Sequence, residues 1–399
     1  MKKKLLFVIP SLDAGGAEKS LINLLHAIDY SLFEVDLLVF HDKGIFLNSI
    51  PKSVKIISIY GDFLDFSEPI LISVSELFNQ RKFLLVMHRI FFALTNILEK
   101  NKSKAEQLSW KHVSKAIPNL TKNYDAAIGA LEKSSIYYIS EKVNSKIKIG
   151  WIHTNYSNSG MEKGFDLPFF EKLNYLVTIS KECATDLNRN FPNLKDKIKV
   201  IYNIVSTTLI TELSNEILID PKFNNSGLTI LTIARLSKEK GVDLALESAL
   251  LLVKKGLVFR WYIIGDGSER HFLEKKIIEY QLEDYFILLG LKANPYPYLK
   301  QSFMYVQPSR YEGKSIAIDE AKILQKPIIT TNYPTAKDQI SNGVDGIICE
   351  INPIEIAQQI LYLKENKNIT EKFTLNLKEM KLGTESEISQ LYNLIYATA

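Results

Sequence analysis

Cysteine is nearly absent from this chain: Cys183 and Cys349 are the two in 399 residues, and they lie too far apart for a disulfide framework or a zinc-ligand spacing. A reducing cytoplasm fits that usage. Long apolar runs are also missing. The opening Met1 to Pro10 has a short run, Leu5 to Ile9, before Pro10 and no small-residue cleavage site after it, so it reads as a first buried strand and not as a leader. The stretch Phe83 to Leu94 is interrupted by His88 and Arg89 and is too short for a bilayer of about 30 Å. Metal-ligand patterns are lacking too, with no Asp-x-Asp, no His/Glu cluster and no Cys pair at ligand spacing, so no metal and no other cofactor is expected. A third glycine after Gly15-Gly16 is missing, which argues against a dinucleotide fingerprint, and Asp36 is not evidently placed for a ribose. No internal repeat or low-complexity segment stands out.

What is present suits a globular protein, with 46% apolar and 24% charged residues. The length favours two domains. Net charge is only +4, and nucleic acid is not expected as a partner. That charge is unevenly spread: residues 81–124 hold nine Lys or Arg against Glu99 and Glu106, a balance of +7, which leaves −3 for the rest. Aromatic and aliphatic side chains flanked by basic ones there suit a helix in a membrane interface. A helix buried in its own domain with a solvated basic face is the other reading, and both stay open.

Short apolar runs alternate with amphipathic stretches in both halves. In the first, Leu5 to Ile9, Val35 to Phe40, Val54 to Ile59, Ala126 to Ala130, Ile147 to Trp151 and Tyr175 to Ile179 read as strands, with a helix over Ala17 to Ala27. The second half has Thr229 to Ile233, Arg260 to Ile264, Phe286 to Leu289, Phe303 to Gln307, Pro327 to Thr331 and Gly346 to Cys349. Such runs suit parallel strands covered on both faces, hence an α/β chain with two Rossmann-like domains. The expected division is 1–203, 204–375, and a C-terminal helix over 376–399, with the polar stretch Asp220 to Gly227 before the second domain's first strand. In open parallel sheets, ligands bind beyond the carboxyl ends of strands, so two such sheets are expected to face one another across an interdomain cleft.

The strand ends gather the candidates for chemistry. Gly15 and Gly16 stand where a helix opens, allowing backbone to approach an oxyanion, or else form a plain tight turn. After the strand Thr229 to Ile233 come Arg235, a planar fork, and Lys240, a point charge, suited to a diphosphate or to a solvated basic loop. Gly265 and Gly267 follow the next strand and permit a base or phosphate, or a simple turn. Glu312 and Glu320 stand eight apart across Gly313-Lys314-Ser315, with a helix opening near Ser315 and Ile316 whose free amides suit a phosphate or sugar oxygen. A solvated helix face is the alternative for that pair. His153 ends a first-domain strand and is either a satisfied structural imidazole or a group aimed at the site.

Taken together, Gly15-Gly16-Ala17-Glu18, Ala234-Arg235-Leu236 through Lys240-Gly241, Ile264-Gly265-Asp266-Gly267, Pro308 to Gly313 and the pair Glu312/Glu320 resemble the retaining glycosyltransferases of family 4. The likeness spans nearly the whole chain, is most specific in the second domain, and says little about residues 67–124. Asn294 to Tyr298 and Glu312 to Ser315 look like members that build bacterial capsular or other cell-surface polysaccharides. Lys314 departs from the larger apolar residue or glycine usual there, so no sugar preference carries over.

The resemblance implies the GT-B architecture and a nucleotide-sugar donor, UDP-linked as the first expectation, with a lipid-linked (polyprenyl-diphosphate) or other growing glycan as acceptor. It implies that Arg235 and Lys240 hold the diphosphate and that Glu320 accepts hydrogen bonds from the ribose. Glu312 and the backbone of Gly313 to Ile316 would hold the sugar, His153 would reach it, and Gly16 would lie against the phosphates. It further implies metal-independent, retaining transfer, domain closure over the donor, and a C-terminal helix, Ser386 to Tyr396, crossing back to the first domain. A cytoplasmic protein, peripheral on the inner face of the membrane, is the accompanying expectation. Two other classes share the architecture: sugar-nucleotide epimerases and phosphorylases, and non-catalytic partner subunits.

Overall fold

The computed structural model describes residues 2–13, 15–224 and 227–397; Ala14, inside the first glycine turn, and Asn225 and Ser226, inside the polar stretch, lie outside them. The chain forms two compact units, Met1–Ile204 with Glu385–Ala399, and Val205–Thr384. The boundary placed after 375 falls inside a helix, Lys367–Glu379, whose Phe373 and Leu377 are buried. The chain leaves the second unit only after Thr384.

In the first unit seven strands form one parallel sheet: β1 (Lys3–Ile9), β2 (Phe33–Val39), β3 (Val54–Ser58), β4 (Leu120–Gly129), β5 (Val143–Ile152), β6 (Tyr175–Thr178) and β7 (Ile198–Val200), in the order β3-β2-β1-β4-β5-β6-β7. Leu5 to Ile9 are fully buried because helices cover both faces, and successive residues feed two separate cores. Leu5, Phe7 and Ile9 face one core together with Leu21 and Leu25 of the helix Gly16–Ala27. Leu6 and Val8 face the other with Trp110 and Tyr137. The helix Ile388–Tyr396 completes the first core with Leu391 and Ile395; its Tyr392 ring lies 4.8 Å from Phe33, and its hydroxyl accepts from the Asp29 amide at 2.8 Å.

The second unit repeats the plan with β8 (Leu228–Ile233), β9 (Phe259–Ile264), β10 (Phe286–Gly290), β11 (Met304–Gln307), β12 (Ile328–Thr331) and β13 (Ile347–Cys349), all parallel, in the order β10-β9-β8-β11-β12-β13. Trp261 and Ile263 face one core, while Tyr262 and Ile264 face the other. Both orders place the first strand of the unit beside its fourth. That is the switch point, where consecutive connections leave in opposite directions and open a crevice at the strand ends. In the second unit the switch point is β8 against β11, which brings the segments after Ile233 and Gln307 together.

The basic, aromatic stretch 81–124 is not one element. It comprises the helix Phe83–Leu98, the helix Lys102–Val113 and the start of β4. Of the first helix only Leu85 and Arg89 are buried, and Val86 and Phe92 pack with Leu85 on a small core; Phe83, Leu84, Met87, Ile90, Phe91, Leu94, Ile97 and Leu98 are exposed, so most of the apolar surface of this helix is not covered by its own domain. No helix among the described residues is long and apolar enough to cross a membrane. Cys183 and Cys349 are buried free thiols.

Candidate functional site

Two loops cross at the β8/β11 switch point, and the crossing is close enough to exclude a side chain. Gly241 has φ +64°, and a Cβ there would lie 2.0 Å from the Pro308 carbonyl oxygen. The loops are also tied by polar contacts. Arg310 forms a fork with Asp243, both bonds 2.7 Å, and donates to the Lys238 carbonyl at 2.8 Å. The amides of Arg310 and Tyr311 both donate to the Glu239 carbonyl. The Asp243 carboxylate holds the Arg310 guanidinium above its ordinary pKa.

This crossing sets Lys240 beside Glu312, with Nζ 2.6 Å from Oε2. The Glu312 side chain is 8% exposed and that of Lys240 24%. The other carboxylate oxygen accepts from Ser309 Oγ at 2.8 Å and from Gln307 Nε2 at 3.0 Å. Gln307, on β11, in turn accepts from the Tyr305 hydroxyl and from Ser315 Oγ. Behind the loop, Gln339 takes the Ser315 amide and donates back to the Ser315 carbonyl, each at 2.8 Å, while Thr335 donates to the Glu312 carbonyl at 2.9 Å. Every one of these polar groups is at least half-buried, so the network fixes the carboxylate in one orientation. The sequence reading gave no site role to Gln307, Ser309, Asp243, Thr335 or Gln339, although Gln307 closed one of its strands and Ser309 lay in the motif Pro308 to Gly313. Gln307 carried a signal, a polar residue closing an otherwise apolar strand.

The remaining candidates of this unit fall around that centre. Arg235 is exposed at the end of β8 and takes part in no ion pair among the described residues. The helix Ile316–Ile323 starts after Ser315, whose side chain does not cap it. Lys314 lies 3.5 Å from Asp319 in the first turn of that helix, so the cation sits at the helix start. Glu320 is fully buried and accepts from the Tyr296 hydroxyl at 2.9 Å. Gly265 has φ +148°, and a Cβ there would lie 1.9 Å from the Ala234 carbonyl oxygen; at Gly267 it would meet the Leu236 carbonyl oxygen at 2.4 Å. Close approach of two protein loops already accounts for both glycines. At Gly313 an added Cβ would meet nothing within 4 Å.

In the first unit, Gly15 precedes the helix Gly16–Ala27; a Cβ at Gly15 would meet the Glu18 carboxylate at 2.0 Å, and one at Gly16 would meet nothing. Asp36, set aside as a ribose partner, is buried in β2 and accepts from Lys122 Nζ and the Tyr124 hydroxyl, each at 2.7 Å. His153 follows β5. Its Nε2 lies 3.1 Å from the Ala130 carbonyl, which can only accept, so the proton resides on Nε2 and Nδ1 keeps a lone pair. Nδ1 has no hydrogen-bond partner among the described residues, and the ring lines a small pocket with Ser20, Leu24 and Trp151. The ring stacks on Trp151 at 6.0 Å, and its amide donates to Glu132 Oε1 at 2.6 Å.

Burial pushes the His153 imidazole down to about 4 from 6.5, so it is neutral at neutral pH. Unfolding then takes up a proton between those values, and stability falls as pH drops through that window. The expected result is a loss of up to about 3 kcal/mol between neutral pH and pH 4 that is absent in His153→Gln, measured by urea unfolding across pH.

Among the described residues, no group of three or more His, Cys, Asp or Glu side chains converges as a metal set.

Comparison with known proteins adds to this geometry. Residues 214–380 match the family described as "Glycosyl transferases group 1". The chain is 26% identical over 250 residues to a poly(ribitol-phosphate) alpha-N-acetylglucosaminyltransferase of Staphylococcus aureus, covering 61% of this chain and 48% of that protein. It is 26% identical over 240 residues to the capsular polysaccharide biosynthesis glycosyltransferase CapM of the same species, covering 54% of this chain and 63% of CapM. The matched stretches thus span about half the length of the relatives. Among solved structures, a mutant of S. aureus TarM in complex with Fondaparinux, alpha-GlcNAc-glycerol and UDP superposes with a TM-score of 0.67 at 18% identity, over 99% of this chain and 100% of that one. Anabaena HepE in complex with UDP and glucose gives 0.66 at 15%, over 99% and 100%. At such identities the likeness is one of fold. Two parallel-sheet α/β units make this a GT-B fold, and residues 214–380, less than half of the chain, are similar to the glycosyl transferases group 1 family.

Proposed function

We propose that this chain is a retaining glycosyltransferase of family 4. It moves a sugar from a nucleotide-sugar donor, UDP-linked, to a lipid-linked or growing bacterial surface glycan, and does so from the inner face of the membrane. The observation that carries this reading is the Lys240–Glu312 pair, buried at the switch point of the second unit and fixed by Gln307 and Ser309, with Arg235 exposed on the same loop as Lys240. The complexes of TarM and HepE with UDP support the donor, and the staphylococcal relatives support a surface glycan.

As the glycosidic bond breaks, positive charge grows on the sugar and negative charge on the departing diphosphate. Arg235, Lys240 and the amides opening the helix Ile316–Ile323 stabilise the diphosphate, the task a divalent ion performs elsewhere, so no resident metal is required. Glu312, held against rotation, accepts from sugar hydroxyls, and the neutral His153 offers its Nδ1 lone pair to another. Glu320 is fully buried with Oε1 on the Tyr296 hydroxyl, and the ribose contact expected of it falls to Oε2. Retention follows front-side attack, in which a leaving phosphate oxygen takes the acceptor proton.

The test combines a nucleotide panel with one variant. UDP is expected to raise the melting temperature, since a ligand at a hundred times its dissociation constant adds about 2.7 kcal/mol. Gly313→Ala, whose methyl meets no protein atom, should leave the unliganded protein within about 0.5 kcal/mol of wild type. It should weaken the response to a UDP-sugar more than to UDP. No response to any nucleoside diphosphate or its sugars by folded protein would refute the donor site. Anomeric configuration of the product by NMR, and turnover in EDTA, decide retention and metal independence.

A further inference from the structure

Exposed apolar side chains are concentrated on one pair of helices in the first unit. The helices Ile70–Asn79 and Phe83–Leu98 pack on each other, with Phe78 and Phe83 edge to face at 5.3 Å. Along the second, Phe83, Leu84, Met87, Phe91, Leu94 and Leu98 project outward at helical spacing, Leu98 75% exposed, and Leu71 of the first helix is 83% exposed. Inward, Arg89 donates to the Glu68 carbonyl at 3.0 Å, its guanidinium 5.7 and 5.4 Å from the Phe66 and Phe92 ring centres. A helix bathed only by water keeps its apolar side chains on the core side, and this one, with Leu85, Val86 and Phe92 packed inward, carries a second apolar stripe facing out.

The ends of the stripe are cationic. Arg81 precedes the helix and is exposed, while Lys100 and Lys102 follow it and are exposed; the helix itself contains no acid. Glu99, at its end, is already engaged by the Asn101 amide at 3.0 Å and by Lys104. These charges choose between occupants. A second copy laid antiparallel would set Arg81 against Lys100, and a parallel one would set like ends together, so either pairing meets repulsion. Anionic headgroups satisfy both ends while the acyl boundary takes the apolar side chains.

We infer that the outer face of these two helices is the membrane-docking surface, with the helix Phe83–Leu98 lying in the plane of an anionic bilayer. At about 1.5 Å per residue it is about 24 Å long, too short to span and suited to lie flat. This narrows the contact from residues 81–124 to the face built by residues 70–98 and its basic ends, and its purpose rests on the lipid-linked acceptor proposed above.

Flotation of the full chain with phosphatidylcholine vesicles, with and without phosphatidylglycerol, tests it. Wild type is expected to float with the anionic vesicles and much less with neutral ones. Leu84→Ser/Phe91→Ser is expected to remain at the bottom. Arg81→Gln/Lys100→Gln should lower partitioning about thirtyfold, the value to which ~1 kcal/mol per basic residue converts. Failure of wild type to float with anionic vesicles overturns the inference, as does a dimer in light scattering that Leu84→Ser/Phe91→Ser turns into a monomer without vesicle binding. UDP binding measured on the same samples reports the donor site independently, because none of the four residues belongs to it.

Discussion

Lys240→Met is expected to lower stability strongly and sugar transfer with it, whereas Glu312→Gln should lower transfer with little loss of stability. The asymmetry follows from which partner is left behind. Without Lys240 the Glu312 carboxylate remains almost wholly buried, with one oxygen still bonded to Ser309 and Gln307 and the other deprived of its cation. Leaving a charge uncompensated in such a place costs about 3 kcal/mol. Glu312→Gln leaves Lys240, whose exposure lets water solvate its ammonium group, and the amide oxygen still accepts from Ser309; that cost is about 1 kcal/mol or less. On the function proposed above, each variant should reduce kcat by about 10²–10³-fold, Lys240→Met because the departing diphosphate loses a cation and Glu312→Gln because the sugar loses a charged acceptor that orients it. The double variant Lys240→Met/Glu312→Gln should recover most of the lost stability and none of the activity. Urea unfolding with kcat and KM for all three variants decides it. Equal destabilisation by the two single changes would mean that the pair is not buried as a unit.

Gly241→Ala is the second large effect, expected to destabilise by about 2–4 kcal/mol and to loosen nucleotide binding together with it. Its left-handed φ alone would cost an alanine only about 1 kcal/mol. The larger part comes from the Pro308 carbonyl, which cannot yield to a methyl 2.0 Å away without carrying the loop that holds Glu312. Gly313→Ala, in open space one residue beyond Glu312, is the control. The two glycines lie on the loops of the same site, yet only the first is required by the protein's own packing. Melting curves with and without UDP are the measurement, and a Gly241→Ala protein as stable as wild type would show that the crossing is not fixed.

Much of this was legible because apolar runs bounded by turn residues mark buried parallel strands, and the twelve runs named in the sequence are strands of the two sheets. The edge strand β7 was missed. It has three residues, Ile198–Val200, its middle Lys199 is exposed, and so short a run, broken by a lysine, has no period to read. Of the site, the polar residues at strand ends were legible, and their pairing was not. Arg310 meets Asp243 across a sequence separation of 67, and Gln339 reaches Ser315 across 24, because neighbouring strands in the sheet are distant in the chain. The spacing of Glu312 and Glu320 placed the second on a helix. It could not show that Glu320 faces Tyr296, because which side of a helix is covered depends on packing. The same limit hid the outward stripe on Phe83–Leu98, where apolar residues occur around nearly the whole circumference.

The return of the last helix also bears on how the molecule is made. Leu391 and Ile395 fill the same core as Leu5 and Phe7, though the 180 residues of Val205–Thr384 are translated between the two parts. At about 5–20 residues per second, the amino-terminal sheet waits roughly ten to forty seconds on the ribosome for its final wall. During that interval the ring of Phe33 lacks Tyr392 and Tyr396, the core lacks Leu391 and Ile395, and a nascent chain arrested before Ile388 presents that opening to chaperones and proteases. The Val205 amide meanwhile donates to Thr384 Oγ1 at 2.8 Å once both have emerged, clasping the inserted unit at its two ends. Completion of the first half of the protein is thereby a report that its second half has been fully translated.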